Sequence, residues 1–147
     1  MPDTGEVSKA LIARLSGDAT LMGLTPDGVY FGEAAQGKTK FTLVSLISGR
    51  DVAQMATLPA SRRAYEDLLY AVKAVVIGTS RTVPGQAAAR IDVLLEDKPL
   101  TIVGYACLSI ARTEPIDDPE VDDVDNSIRW QHRGGRYRIL AAPVQGG

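Results

Sequence analysis

The chain has 147 residues, a length typical of one domain and short for two ordinary ones. Hydrophobic residues make up 45% and charged residues 23% of the chain, so the composition supports a folded core. The formal net charge of -2 argues against a generally basic nucleic-acid coat, and one cysteine and one histidine exclude a disulfide scaffold and a Cys/His zinc module.

The N-terminal region predicts a helix followed by a strand. Apolar residues recur at three- and four-residue spacing over Glu6–Leu15, which predicts an amphipathic helix. Asp3 or Thr4 would cap its start, and Gly17 would end it in a left-handed conformation. The segment Thr25–Phe31 is typical of a type I turn that leads into a short strand.

The middle of the chain predicts two strands and a second helix. Phe41–Ser48 has apolar residues on both alternating faces, as in a strand buried on both sides, whereas Gly49–Arg63 has no period and is interpreted as a loop or flap. Periodicity leaves Tyr65–Ile77 open between helix and strand, and its β-branched end favours strand. Pro84–Glu96 has a clear apolar face and predicts a helix that stops before Pro99.

The last third of the chain alternates between β-prone and charged segments. Leu100–Thr113 is β-prone, with Gly104 marking a bend or hairpin. Asp117–Asp125 is too acidic for a buried element and is interpreted as a solvated loop. The last strand is predicted over Ile128–Ala142, with Gly134–Gly135 as a bulge or turn. This order predicts a single α+β domain over the whole chain, with a mostly antiparallel sheet packed on two main helices.

Catalytic and ligand-binding patterns are weak throughout the sequence. His132 and Ser127 lie near acidic residues, but the Gly-x-Ser-x-Gly elbow of a hydrolase is missing. Cys107 lies within an apolar strand and is interpreted as a core thiol. The segment around Gly78 lacks the second glycine and the lysine of a phosphate loop, and the acidic stretch lacks EF-hand spacing. We therefore expect no enzymatic activity, no cofactor and no metal, with a small ligand-binding domain or enzyme as the alternative.

The most informative pattern is charge segregation near the C terminus. An acidic stretch comes directly before an arginine-rich strand, and the residues are Asp117, Asp118, Asp122, Asp123, Asp125, Arg129, Arg133, Arg136 and Arg138. Two interpretations stay open. The charges pair across a hairpin within one subunit, or acidic and basic edges of neighbouring copies meet in a ring. Arginines facing the lumen of a ring would also meet the backbone of DNA.

Three segments resemble a known family through their order along the chain. They are Ala10–Ala19, Pro26–Tyr30 and Arg129–Arg138, and together they are similar to the tail terminators, the small tail-completion proteins of long-tailed phages and prophages that include the lambda tail terminator. The resemblance implies an α+β subunit in which Tyr65–Ile77 is a strand. It also implies a hexameric ring that caps the tail tube, stops its polymerisation and joins it to the head-side connector.

The resemblance also implies partners and a location. The expected partners are further copies of the chain, the tail-tube protein and a head-side connector or stopper protein. DNA would pass through the lumen without sequence-specific binding, and no membrane is involved. The protein would belong to the tail or neck of a virion assembled in the host cytoplasm. An alternative within assembly is a head–tail adaptor or stopper ring of the neck.

In the relatives, loops project along the ring axis. Contacts with the tube or neck are therefore expected in the acidic loop and in the Gly49–Arg63 loop, where the candidates are Arg50, Asp51, Gln54, Met55, Leu58, Arg62 and Arg63.

Overall fold

A computed structural model of the chain describes residues 4–53 and 63–144. The described residues form three helices, which are α1 (Thr4–Ser16), α2 (Ala19–Leu24) and α3 (Thr82–Leu95). They also form six strands, which are β1 (Val29–Phe31), β2 (Lys40–Ala53), β3 (Arg63–Ile77), β4 (Thr101–Ile102), β5 (Tyr105–Val121) and β6 (Arg129–Pro143). Within these residues, no helix is both long and apolar enough to cross a membrane.

The strands form one six-stranded sheet in the order β1-β2-β3-β6-β5-β4. The β1–β2 pair is parallel, and the pairs β2–β3, β3–β6, β6–β5 and β5–β4 are antiparallel. Two long hairpins, β2–β3 and β5–β6, thus supply the four central strands. The prediction of an α+β fold with a mostly antiparallel sheet is confirmed.

The helices pack on one face of this sheet. Side chains of β3 and β6 alternate between the faces, and Tyr70 and Tyr137, which lie opposite each other in the β3–β6 register, both face the helices. The Tyr70 hydroxyl lies 2.9 Å from Ser8 Oγ on α1, and the Tyr137 hydroxyl donates to Asp92 on α3 at 2.9 Å. Apolar residues fill the layer between, including Leu11, Leu15, Leu68, Val72, Ile91, Leu95, Ile110 and Ile139. Each such side chain contributes about 1.5–3 kcal/mol through burial.

Both predicted helices are present, but the conformation of Gly17 and the short helix α2 differ from the prediction. The predicted helices correspond to α1 and α3, and Gly17 follows α1 with its N–H donating to Ala13 O at 3.0 Å. The φ angle of Gly17 is not left-handed, however, so that part of the prediction was wrong. The short helix α2 was not predicted. Asp18 caps it by accepting from the Leu21 N–H at 2.9 Å, and Asp18 also pairs with Arg90 on α3 at 2.6 Å.

Strand β2 is longer and more exposed than predicted. It continues through Gly49 to Ala53, so the first part of the predicted loop is strand, while residues 54–62 lie outside the described part. Leu46 and Ile47 are 39% and 44% exposed, which contradicts burial on both faces. The reason is the strand order. β1 pairs only with residues 42–44 of β2, so the rest of β2 forms the outer edge of the sheet.

Strand β5 corrects the acidic-loop prediction. It runs to Val121, so the first acidic residues of the stretch lie in a strand, and only residues 122–128 connect β5 to β6. The acidic side chains are exposed at this end of the hairpin, and Asp117 lies opposite Arg133, so a strand can hold them. A highly charged segment need not be a loop, because a strand with an exposed face also tolerates charged side chains.

The two glycines of β6 do not form the predicted bulge or turn. Gly134 and Gly135 stay in register with β3, and the register shifts fall on β5, between Cys107 and Ser109 and between Arg112 and Glu114. A Cβ on Gly134 would lie 2.1 Å from the carbonyl oxygen of Val72. The glycine therefore permits a close approach of β6 to β3.

Candidate interaction surfaces

The face of the sheet opposite the helices, called here the open face, carries charged residues of the central strands. Because side chains alternate along a strand, residues of β3 and β6 at an odd number of positions from Tyr70 and Tyr137 point away from the helices. Charged residues in this set are Asp67, Lys73, Arg136 and Arg138. Arg50 on β2 joins them, because it lies opposite Asp67 in the β2–β3 register.

Asp67 binds two arginines on the open face. Its carboxylate accepts from Arg138 Nε at 2.8 Å and Nη2 at 2.6 Å, and from Arg50 Nη2 at 3.2 Å. The Asp67 side chain is 12% exposed, while Arg138 and Arg50 are 49% and 72% exposed. The hydrogen bonds from Arg138 are the main reason that the pKa of Asp67 lies below its ordinary value. This cluster joins β2, β3 and β6.

Two further arginines pair with acidic residues across the β5–β6 hairpin. Arg136 Nη1 lies 2.8 Å from Glu114 Oε1, and Arg133 Nε lies 3.8 Å from Asp117 Oδ1. Asp117 also pairs with Arg81, which precedes α3. The first of the two interpretations of the segregated charge, pairing across a hairpin, is confirmed for Arg133 and Asp117.

Two acidic residues of the predicted loop, Asp122 and Asp125, hold the β5–β6 turn over residues 122–128. Asp122 accepts from the N–H of Val124 at 2.9 Å, the N–H of Asp125 at 3.1 Å and Trp130 Nε1 at 3.1 Å. Asp125 accepts from the N–H and the hydroxyl of Ser127 at 2.9 and 2.7 Å. These bonds lower the pKa of Asp122, chiefly through Val124, and the pKa of Asp125, chiefly through the Ser127 hydroxyl.

The other candidates near the turn lie on or beside it. Arg129 donates to the backbone carbonyls of Asn126 and Ile128, whereas Asp118 and Asp123 are exposed. A role between copies stays a prediction for the whole set of acidic and basic candidates.

The strand ends that flank the predicted tube- and neck-contact loop lie at the opposite end of the sheet from the β5–β6 turn. The β2–β3 connection follows Ala53 and precedes Arg63, whereas the β5–β6 turn lies beside Ile77 at the other end of β3. With 15 residues, β3 separates the two ends by about 50 Å. Of the loop candidates, Arg50 lies in β2 and binds Asp67. Asp51 and Arg63 are at strand ends, and Gln54, Met55, Leu58 and Arg62 lie outside the described residues.

The residues considered for catalysis have structural partners. The His132 ring lies 3.2 Å from Glu120, and the Ser127 hydroxyl donates to Asp125. Cys107 is half-buried and packs against the core, in line with the core-thiol interpretation. Over residues 4–53 and 63–144, no group of three or more His, Cys, Asp or Glu side chains is placed to hold a metal ion.

An apolar groove lies between α2 and α3. It has a volume of about 630 Å³ and is lined by Ala19, Thr20, Gly23, Leu24, Gln86, Ala89, Arg90 and Val93. Its one charged side chain, Arg90, is held by Asp18 at the rim. A ligand site has several convergent polar groups, and this groove does not bring them together.

Exposed apolar side chains form a second kind of surface, which the sequence did not reveal. Three lie at one edge of the sheet and form the β1–β2 edge patch, defined as Phe31, Leu46 and Ile47. Val103 and Leu108 lie at the other edge, on the β4–β5 hairpin, and Val144 lies at the end of the inner strand β6, where its N–H donates to Gly104 O. The exposed fractions range from 39% for Leu46 to 75% for Val103. Strand order decides which apolar residues lie at an edge, and local sequence does not encode that order.

No protein-family model and no curated protein sequence matches the chain. Among solved structures, a chain from the virion of a native gene transfer agent particle superposes with a TM-score of 0.61 and 16% identity. The match covers 92% of this chain and 96% of that chain. A second solved chain gives a TM-score of 0.61 at 14% identity and covers 100% of both chains. At these identities the likeness shows a shared fold over nearly the whole chain.

Proposed function

We propose that this protein is a non-enzymatic structural protein of a phage-like particle and acts as its tail terminator. In this function it forms a ring, expected to be a hexamer, that caps the tail tube, stops its polymerisation and joins it to the head-side connector. The observation that carries the proposal is the fold likeness to a chain of a gene transfer agent virion, which extends over 92% of this chain. The resemblance of three sequence segments to tail terminators supports the same function.

The geometry of the sheet supports a protein with two binding ends. The paired ends of β2 and β3, at Ala53 and Arg63, and the β5–β6 turn lie at opposite ends of β3, about 50 Å apart. A terminator must bind the tube on one side and the neck on the other. We assign these contacts to the two ends, with Arg50 and the Gly49–Arg63 segment at one end and Asp118 and Asp123 at the other.

The carboxylates of the described residues support a structural role, because several of them bind groups of their own chain. The carboxylates of Asp67, Asp117, Asp122 and Asp125 accept hydrogen bonds or ion pairs that hold strands and turns together. Such groups stabilise a scaffold on which binding surfaces are placed. In a ring, DNA would pass through the lumen and meet only general positive charge.

The experiment that tests this function is native mass measurement over a range of protein and salt concentrations. The protein is measured alone, with tail-tube protein, and with head-side connector protein. We expect a discrete ring that binds tube protein, or a monomer that becomes a ring on tube ends. A ring that binds only the connector would support the adaptor alternative. A monomer indifferent to both proteins would overturn the assembly function and favour a search for a small ligand.

A further inference from the structure

A polar groove on the open face, called here the Asp67 groove, runs across neighbouring strands of the sheet. In the strand registers Ser48 lies opposite Leu69, and Leu69 lies opposite Arg138, so these three residues form one row. Arg50 and Asp67 lie opposite each other in the next row. The groove has a volume of about 490 Å³, and its lining includes Ser48, Arg50, Asp67, Leu69, Thr113 and Arg138.

Asp67 holds two guanidinium groups at this groove. Its carboxylate accepts from Arg138 on β6 and from Arg50 on β2, so it draws the two arginines together from the strands on either side of β3. The Asp67 side chain is 12% exposed, whereas those of Arg138 and Arg50 are 49% and 72% exposed. A molecule that approaches the groove therefore meets the arginines before the carboxylate. Because Asp67 orders both arginines in advance, binding costs less side-chain entropy.

The two arginines keep unused donors after they bind Asp67. A guanidinium group has five N–H donors. Asp67 takes two from Arg138 and one from Arg50, and no other residue in the described part of the chain accepts from either side chain. The Ser48 hydroxyl likewise has no hydrogen-bond partner among the described residues, whereas the Thr113 hydroxyl donates to Arg136 O at 3.3 Å. The groove thus presents unused donors from both β2 and β6.

This arrangement fits an anion with several oxygen atoms. The charged residues that line the groove are two arginines and one aspartate, which leaves one positive charge in excess. Donors on two strands approach from different directions. A tetrahedral phosphate group has acceptor oxygens that point in more than one plane, whereas the two oxygens of a carboxylate lie in one plane. We infer that the Asp67 groove binds a phosphate group, with Arg50, Arg138 and Ser48 as its donors. The site is complete within one chain, so this inference does not rest on the proposed ring.

Isothermal titration calorimetry of the full chain with inorganic phosphate, at neutral pH and constant ionic strength, tests the site. The variants are Arg50→Gln and Ser48→Ala, and the matched control is Arg136→Gln. Arg136 lies on the same face, is 45% exposed and pairs with Glu114, but it does not line the groove. We expect saturable binding by the wild type and the control. Binding should weaken by about tenfold or more in Arg50→Gln, because a charged hydrogen-bond donor is lost, and by less in Ser48→Ala.

Two further titrants identify the source and the chemistry of the ligand. Duplex DNA that binds with the same dependence on Arg50 would support the site with nucleic acid as the source of the phosphate. Binding of inorganic phosphate without DNA would support it with a small molecule as the source. Acetate that binds as tightly as phosphate would overturn the assignment to phosphate.

Two other results would also overturn the inference. They are a wild type without saturable binding of either inorganic phosphate or DNA, and equal losses of binding in Arg50→Gln and Arg136→Gln. Circular dichroism checks that each variant is folded. If Arg50→Gln does not fold, Arg50→Lys takes its place, because lysine keeps the charge but lacks the fork of N–H donors.

Discussion

The open face of the sheet and its two edges differ in how their side chains are partnered. On the open face, Arg138, Arg50 and Arg136 are bound by Asp67 and Glu114 of the same chain. At the edges, the exposed apolar side chains face solvent, with Leu108 54% and Ile47 44% exposed. The difference teaches that conspicuous charge in a sequence can be paired within one chain, while apolar residues with no strong sequence signal are left exposed by the strand order.

The largest expected effect comes from breaking the scaffold of the open face at Gly134. Gly134→Ala places a Cβ 2.1 Å from Val72 O and 2.5 Å from Lys73 Cα, both backbone atoms that cannot move without parting β3 from β6. We expect a loss of about 3 kcal/mol or more in the free energy of unfolding, measured by urea denaturation.

Gly23→Ala is the matched control for this substitution. A Cβ on Gly23 meets nothing within 4 Å, and Gly23 lies in α2. We expect this variant to be unchanged or more stable by up to about 1 kcal/mol. Equal losses in the two variants would show that the close approach of β6 to β3 is unimportant.

The next largest loss of stability is expected from removing the charge of Asp67, which binds two arginines. Asp67→Asn keeps the shape of the side chain but loses the ionic bonds to Arg138 and Arg50, and we expect a loss of about 1 kcal/mol at neutral pH. The pKa of Asp67 is lowered by folding, so its stabilisation is present above the ordinary aspartate pKa. It is lost as the pH falls through the lowered value.

The pH dependence separates charge from shape at Asp67. Wild type should lose stability in acid more steeply than Asp67→Asn, so the two unfolding free energies should converge at low pH. Denaturation midpoints measured from neutral pH down into the acid range check this. Parallel curves for the two proteins would mean that the arginine bonds at Asp67 do not stabilise the fold.

The smallest loss of stability is expected from breaking the exposed ion pair across the β5–β6 hairpin. Arg136 and Glu114 are 45% and 53% exposed, so Arg136→Glu should cost less than about 1 kcal/mol. Because Arg136 is already paired with Glu114 of its own chain, we expect the native mass of this variant to match that of the wild type. Loss of assembly in Arg136→Glu would instead support the role between copies predicted from sequence for the arginine-rich strand.

The sequence predicts the elements whose signals are local. The helices α1 and α3 follow from apolar periodicity, and β1, β3 and β6 follow from β-prone runs. The structure differs from the prediction where a strand's character depends on the strand that pairs with it. β5 carries acidic residues because arginines of β6 lie opposite some of them, and β2 is exposed at Leu46 and Ile47 because β1 is only three residues long. The short helix α2 depends on a cap at Asp18 that also binds Arg90, 72 residues away.

The candidate surfaces could likewise be predicted only as far as local sequence determines them. Charge segregation is visible in the sequence, but the choice between pairing within a chain and between chains requires the strand register. Asp122 and Asp125 are turn-forming residues, which their spacing to Val124 and Ser127 could have indicated. The exposed apolar residues at the edges depend on the order of six strands, which joins residues from distant parts of the chain.

The most direct test of the terminator function is electron microscopy of tail-tube protein polymerised with and without this protein. A terminator binds the last ring of a tube and stops its growth. We predict that tubes become shorter as the protein is added and that each tube carries ring-shaped density at one end only. Tubes of unchanged length with bare ends, at protein concentrations well above that of the tube ends, would contradict the proposed function.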